Sequence, residues 1–206
     1  MRKGKVVWYI LVGMNLILLL LLGLQYGRNL RMQEDIAGKV LRFHVLANSD
    51  SREDQALKLA VRDAVGAEMA EVLAGAGDRE ACEKIINANL SRIKATAERV
   101  VEEWGLDYEV EAALEEVDFP VKTYGDYTFP AGKYEALRVV IGEGEGHNWW
   151  CVMYPNMCFS GSVYEVVDEE AEGKLREVLD EEEYETVLSS GDYEVRLKCL
   201  DFLREP

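Results

Sequence analysis

An uncharged apolar stretch near the N-terminus restricts the fold of this chain more than any other feature. Residues 6–26 read VVWYILVGMNLILLLLLGLQY, and a helix of ~20 predominantly apolar residues is long enough to span a bilayer. Arg2, Lys3 and Lys5 precede the stretch, which favours a cytoplasmic N-terminus and translocation of the residues after the stretch. The sequence therefore predicts an N-terminal membrane segment, residues 1–28, with the rest of the chain outside the cytoplasm.

This membrane segment has two interpretations. A cleaved signal peptide has an apolar region of ~7–15 residues and a small-x-small cleavage site, whereas here Leu-Gln-Tyr-Gly-Arg follows Gly23. The pattern favours an uncleaved anchor over a cleaved signal. In either case residues 29–39 are interpreted as a polar juxtamembrane linker, and residues 40–206 as one extracytoplasmic domain.

Charge is distributed unevenly along the chain. Residues 1–28 hold four of the 23 basic residues and none of the 39 acidic residues. A domain this acidic repels nucleic acid and anionic lipid headgroups, so no nucleic-acid partner is expected. The acidic surface suits a basic protein partner, although it also serves solubility alone.

Periodicity and turn residues predict an α+β domain with two layers. The predicted order is a strand at 40–48, a helix at 51–73, a helix capped by Asp78 and ending at 104, a strand at 108–117, a loop at 119–132, strands at 134–142 and 147–154, and short helices after about 163. About four mostly antiparallel strands would then pack on two long helices. The helices would cover the apolar strand face and leave the opposite face open.

The first strand and the turn after it form an unusually polar block. Its apolar residues alternate with a second set that includes Arg42 and His44, which predicts one buried and one open face. The turn Asn-Ser-Asp-Ser at 48–51 precedes a helix, and box-like caps are available from Asp50 with Glu53 or from Ser51 with Asp54. Residues 48, 50 and 54 are therefore expected close to the open strand face.

A second block, residues 129–159, joins a Pro-Ala-Gly turn, a strand, a Gly-rich turn and a Trp-Trp-Cys strand. The segments RFHVLANSD, DQALKLAVRD and AGKYEALRVVIGEGEGHNWWCVMYPNMCF together resemble the stage II sporulation protein R family over most of residues 40–160. The resemblance implies a signalling protein that is made in the forespore and crosses its membrane. In the space between the two membranes it would activate an aspartic protease bound to the mother-cell membrane, which removes the pro-sequence of sigma-E in the mother cell.

Three catalytic or ligand-binding interpretations are weaker than structural ones. His44, His147, Cys151 and Cys158 have a Cys-x6-Cys spacing wider than the ~2–4 intervening residues of common zinc pairs, so no metal is predicted. Ser49 lies in no nucleophile-elbow pattern, and the nearby acids are placed for helix capping. The GEGEG run at 142–146 is followed by a strand instead of a helix, which indicates a hairpin turn and not a phosphate loop. No catalytic residue and no cofactor are predicted.

The candidate residues for binding a partner come from both blocks: Arg42, His44, Asn48, Asp50, Asp54, Gln55, Trp149 and Trp150. The two tryptophans should point to opposite strand faces, so one of them is expected to be an exposed interface anchor. Cys151 and Cys158 would face each other across a hairpin loop, which permits a disulfide; two packed thiols are the alternative. The alternative function is an extracytoplasmic hydrolase or a cell-wall-binding domain.

Overall fold

The structure is a computed structural model that describes residues 2–73, 75–157 and 169–189. The helices are α1 (Arg2–Lys39), α2 (Arg52–Leu73), α3 (Arg79–Glu103), α4 (Glu169–Val178) and α5 (Glu181–Ser189). The strands are β1 (Leu41–Leu46), β2 (Val110–Phe119), β3 (Lys122–Tyr124), β4 (Tyr127–Phe129), β5 (Gly132–Ile141) and β6 (Asn148–Tyr154). The predicted α+β class is confirmed.

Four strands form a mixed sheet in the order β2-β5-β1-β6. β1 is parallel to β5, while β2 with β5 and β1 with β6 are antiparallel. The region predicted as a loop at 119–132 instead contains the short β3-β4 hairpin, whose turn includes Gly125 at a φ of 57°. A positive φ is accessible to glycine without steric cost, and this allows the tight reversal.

The two long helices cover one face of the sheet, as predicted. We call it the Phe43 face, because Phe43 of β1 is buried there beneath α2 and α3. Asp78 caps α3 by accepting a hydrogen bond from the Ala81 backbone N–H at 2.8 Å. Apolar residues of α3 and of the strands lie in this core: Cys82, Ile86, Ile93, Ala97, Val100, Val110, Leu137, Val139 and Ile141.

The opposite face, which was predicted to be open, is covered as well. We call it the Arg42 face, because β1 places Arg42 there. Its second core contains Ile36 of α1, Phe129 of the hairpin, and Leu175 and Val187 of α4 and α5. All six residues of β1 are buried in consequence. The prediction of an open face was wrong because alternation shows which residues share a face and not whether another element covers it.

The helix α1 continues without a break through the segment predicted to be a linker. Its side chains are exposed along the apolar stretch, but its last two turns pack on the Arg42 face, where Ile36 and Val40 are fully buried. Gln33 donates a hydrogen bond to the Lys133 carbonyl at 3.2 Å, and Lys39 pairs with Asp180 at 3.4 Å and with Glu183. A single rigid helix thus joins the apolar segment to the domain.

Candidate functional site

The two polar blocks of the sequence meet at one end of the sheet. The Glu143 backbone N–H donates to the Asn48 side-chain oxygen at 3.0 Å, and the Glu145 N–H donates to the Asn48 carbonyl at 3.2 Å. The Gly146 N–H donates to the Ala47 carbonyl at 2.9 Å. We call this arrangement the paired-loop site, residues 47–51 together with 142–148.

Two positions of the run at 142–146 require glycine, because the two loops approach each other closely there. Gly142 has a φ of 58°, and a Cβ there would lie 2.2 Å from the Asn48 side-chain oxygen. A Cβ at Gly146 would lie 2.2 Å from the Ser49 carbonyl oxygen, which is a backbone atom. The run therefore serves the contact between the loops. The predicted hairpin turn is wrong, because β1 lies between β5 and β6 in the sheet and the run connects two strands that do not pair.

Asp54, in the first turn of α2, binds the polar side chains of the first loop. Its backbone N–H donates to the Ser51 hydroxyl at 3.0 Å, so the cap forms through Ser51 with Asp54 and not through Asp50. The Asn48 amide and the Ser49 hydroxyl both donate to the Asp54 carboxylate. Burial raises the pKa of Asp54, but the hydrogen bonds from Ser49 and Asn48 outweigh it and lower the pKa below its usual value.

Lys58 of α2 connects the two loops and is not among the residues predicted from the sequence. Its ammonium donates to the Gln55 side-chain oxygen at 2.6 Å and to the His147 carbonyl at 2.8 Å. The Gln55 amide in turn donates to the Ser49 carbonyl at 2.9 Å. Lys58 is 5% exposed, and burial lowers its pKa. Its place between Leu57 and Val61, on the apolar stripe of α2, was the available signal.

The outer rim of the paired-loop site is exposed to solvent. Asp50 accepts a hydrogen bond from the His147 backbone N–H at 2.6 Å and a second contact from the His147 ring. These hydrogen bonds lower the pKa of Asp50. The side chains of Asp50 and His147 are 57% and 79% exposed. Of the predicted partner-binding residues, Asp50 is therefore the one placed to touch another molecule directly.

Arg42 is fully buried, which corrects its predicted place on an open surface. Its Nε donates to the Cys151 carbonyl and its Nη2 to the Tyr124 hydroxyl, both at 2.9 Å. The guanidinium lies 4.3 Å from the ring centre of Phe119 and 4.9 Å from that of Tyr134, distances typical of cation–π contacts. Its Nη1 has no hydrogen-bond partner among the described residues. Burial lowers the pKa of Arg42.

His44 is 3% exposed, so its predicted place on an open face is also wrong. Its ring stacks on Trp150 with ring centres 3.7 Å apart and an angle of 10° between the planes. Its Nε2 is 2.9 Å from the Asn148 side-chain oxygen. Burial lowers the pKa of His44 to about 4, so the ring is neutral at pH 7.

The two tryptophans point to opposite faces, as predicted, and each is half-buried. Trp149 meets Phe43 edge-on at 5.4 Å between ring centres on the Phe43 face, and Trp150 stacks on His44 on the other. Cys151 is disulfide-bonded. Its predicted partner, Cys158, lies outside the described residues, so that pairing stays a prediction.

The structure thus divides the eight candidate residues into three groups. The paired-loop site and the first turn of α2 beside it bring together Asn48, Asp50, Asp54 and Gln55. Arg42, His44 and Trp150 lie within the Arg42 face, and Trp149 lies on the Phe43 face. The serine hydroxyls and the Asp54 carboxylate bond within the first loop and the start of α2, whereas Asp50 and Lys58 bond to the second loop. Within the described residues, no cluster of three or more His, Cys, Asp or Glu side chains is arranged to hold a metal ion.

The fold and this site define a class: an α+β domain on an N-terminal helix long and apolar enough to span a membrane, with two loops joined by a dense polar network. A model of stage II sporulation protein R matches residues 37–164. Stage II sporulation protein R of Bacillus subtilis (strain 168) is 37% identical over 147 residues, which cover 69% of this chain and 66% of that protein. The chain belongs to the stage II sporulation protein R family. No solved structure matches it significantly.

Proposed function

We propose that this protein acts in sporulation as a binding signal outside the cytoplasm, activating a membrane-bound aspartic protease and so triggering the processing of pro-sigma-E. Membership of the stage II sporulation protein R family is the observation that carries the proposal. The matched region spans just under two thirds of the Bacillus subtilis relative's length. The protease and its substrate therefore enter as parts of the proposal.

Two features of the site favour binding over catalysis. The residues that would suggest a hydrolase, Ser49 and Asp54, are engaged in hydrogen bonds within the turn before α2 and its cap. The buried His44 ring is neutral and stacked on Trp150, where it has no route to an external substrate. A signal needs no turnover, because it acts by binding the active form of its receptor more tightly than the inactive form.

The position of α1 supports a contact surface away from the membrane. β1 begins at Leu41, two residues after α1 ends, and the paired-loop site begins where β1 ends. Six strand residues cover ~20 Å at ~3.3 Å per residue. The exposed rim with Asp50, Glu143 and His147 therefore lies at the sheet end opposite the docked turns of α1, where a protein in a facing membrane would meet it.

The proposal is tested by producing the full chain with the protease and pro-sigma-E in a bacterium that does not sporulate. The full chain is expected to drive processing, and processing should saturate when the chain approaches the amount of protease. If trace amounts give full processing, and Asp50→Asn or Asp54→Asn abolishes it while the chain still co-purifies with the protease, the chain acts as an enzyme and the proposal is wrong.

The topology is tested separately. An enzyme reporter that is active only outside the cytoplasm, fused after Pro206, is expected to be active in the same cells. Activity from a cytoplasmic reporter at that position would contradict both the topology and the signalling role. Reversing the charges at Arg2, Lys3 and Lys5 provides the matched control, because it weakens the positive-inside signal without altering the domain.

A further inference from the structure

The strand β2 is an edge of the four-stranded sheet that the structure describes, and one side of its backbone is not paired with any described strand. It pairs with β5 along all ten residues, and no strand in the described parts of the chain pairs with its other side. The Gly142 N–H donates to the Glu109 carbonyl at 2.8 Å, and this contact continues the β2-β5 register. In an antiparallel ladder the residues that bond to the neighbour alternate. Odd-numbered residues of β2 therefore bond to β5, and the backbone groups of even-numbered residues point to the open edge.

Acidic side chains are the protection that this edge has against pairing with another chain. Natural edge strands are commonly short, bulged, or interrupted by proline or lysine. Residues 110–119 include neither proline nor lysine, and the register with β5 is continuous over the whole strand. The outward N–H and C=O groups of Val110, Ala112 and Leu114 belong to half-buried or buried residues on a regular strand. Such an edge is a template for strand addition.

The charge along the edge selects the kind of strand that fits. Acidic residues repeat along it without a basic residue among them: Glu109, Glu111, Glu115, Glu116 and Asp118. Glu115 pairs with Arg138 at 3.0 Å and Glu116 with Lys133 at 2.6 Å, both on β5. Glu111 and Asp118 form no salt bridge with any residue that the structure describes. A second copy of β2 would set acids opposite acids, which is destabilising, whereas basic side chains would be stabilising there.

We propose that the β2 edge binds an extended segment of the partner, rich in Lys or Arg, as an added strand of the sheet. This inference rests on the proposed function, because the partner is the protease that the chain activates. The edge adjoins the paired-loop rim: Val110 lies opposite Ile141, next to the loop that carries Glu143 and Glu145. Edge and rim thus form one acidic surface. It begins at the end of the domain away from α1 and runs along β2 to Glu116 and Asp118, which line a pocket with the last turns of α1.

Two neighbouring alanines give a matched pair of variants. Ala112→Pro removes an N–H that points to the open edge, so the ladder to β5 keeps its bonds, and the residue before it is already extended as proline requires. Ala113→Pro removes an N–H that bonds to the Arg138 carbonyl in the register of β2 with β5. Ala112→Pro is expected to keep the cooperative thermal transition of the purified full chain, whereas Ala113→Pro should lower its midpoint by far more.

In the co-expressing cells, Ala112→Pro is expected to reduce co-purification with the protease, and processing, by about tenfold or more. Glu111→Lys tests the charge. It should reduce both co-purification and processing, and the binding that remains should be less sensitive to added salt than binding of the unaltered chain. Glu102→Lys makes the same charge change on the exposed side of α3 and should leave both readouts unchanged. If Ala112→Pro loses its thermal transition, the result for Glu111→Lys alone decides whether the β2 edge binds the partner.

The outcomes separate this inference from the proposed function. If the unaltered chain fails to drive processing, the proposed function is wrong. If it drives processing, and folded Ala112→Pro and Glu111→Lys do so equally well, the edge does not bind the partner and only this inference is overturned. A change from dimer to monomer in Ala112→Pro with processing intact would show that the edge pairs two copies of the chain, which also overturns it.

Discussion

Both faces of the sheet are covered by other elements, but the side chains buried on the two faces differ in chemistry. On the Phe43 face, helices α2 and α3 bury aliphatic side chains in the ordinary way. On the Arg42 face, α1, the β3-β4 hairpin, α4 and α5 enclose a guanidinium and an imidazole next to each other on β1. Adjacent residues of one strand thus enter two cores, one wholly apolar and one built around a cation.

The contrast between the faces shows how a buried arginine is accommodated where the described residues offer its guanidinium no carboxylate. Among the described residues, its surroundings include four aromatic rings, the Tyr124 hydroxyl and the Cys151 carbonyl. Ring faces and neutral acceptors offset only part of the cost of taking a charge out of water. The Arg42 face is therefore expected to contribute less stability per buried residue than the Phe43 face, and to respond differently to substitution and to pH.

The strongest loss of stability is expected on the Phe43 face. Phe43→Ala should lower the free energy of unfolding by about 3–5 kcal/mol, because it removes a fully buried ring and leaves a cavity in close-packed surroundings. Chemical denaturation of the purified full chain measures this loss, with Phe43→Leu as a milder control. A loss no larger than that of a surface substitution would contradict the assignment of Phe43 to the main core.

Arg42 separates the role of packing from the role of charge on the other face. Arg42→Ala should cost about 2–3 kcal/mol, because it empties the aromatic enclosure and leaves the Tyr124 hydroxyl without its donor. Arg42→Met fills the space without a charge and should restore most of that loss, or exceed the stability of the unaltered chain. The same denaturation experiment compares the two. If Arg42→Met is as unstable as Arg42→Ala, the guanidinium hydrogen bonds dominate over the packing.

The lowered pKa of His44 predicts that the free energy of unfolding depends on pH. The folded protein keeps the ring neutral down to its pKa of about 4, whereas the unfolded chain takes up a proton near pH 6.5. The unfolded state then binds more protons between these values, so stability falls as the pH falls, by about 2 kcal/mol from pH 7 to pH 5. Thermal unfolding across this range measures the slope. His44→Phe keeps an aromatic ring against Trp150 and should flatten it; an unchanged slope would assign the effect to other groups.

A weaker effect is expected at the tether between α1 and α5. Lys39→Met removes the pairs with Asp180 and Glu183 and should cost less than about 1 kcal/mol, because the lysine is partly exposed. The loss should be local. Hydrogen exchange should speed up in the amides of α5 while those of α3 stay protected. Equal acceleration in both helices would show that the two faces unfold as one unit.

The Phe43 face could be predicted from sequence because its signals are local. Alternation in β1 placed Phe43 with Leu41 and Val45, and the stripe of α3 from Cys82 onward identified the surface that covers them. The cap of α3 by Asp78 and the choice between two caps for α2 also involve residues within one helical turn. Such features depend on neighbours a few positions apart, and a single sequence carries that information directly.

The Arg42 face and the paired-loop site depended on contacts between distant segments. The enclosure of Arg42 comes from residues 119–134, and the Asn48 side chain bonds to the backbone of Glu143. The sequence identified most of the polar residues at these places, but not that the hairpin and α1 would bury Arg42 and His44, nor that Lys58 would lie beneath the loops.

The apolar N-terminal helix, the order of the main strands and helices, and the family resemblance could all be read from the sequence alone, because each is written in a continuous run of residues. Tertiary packing, in contrast, selected the polar residues that remain at the surface. Burial is set by the elements that cover a strand, and those that cover β1 come from both before and long after it in the chain. Asp50 stays exposed and Arg42 does not for this reason, although both belong to the same polar block.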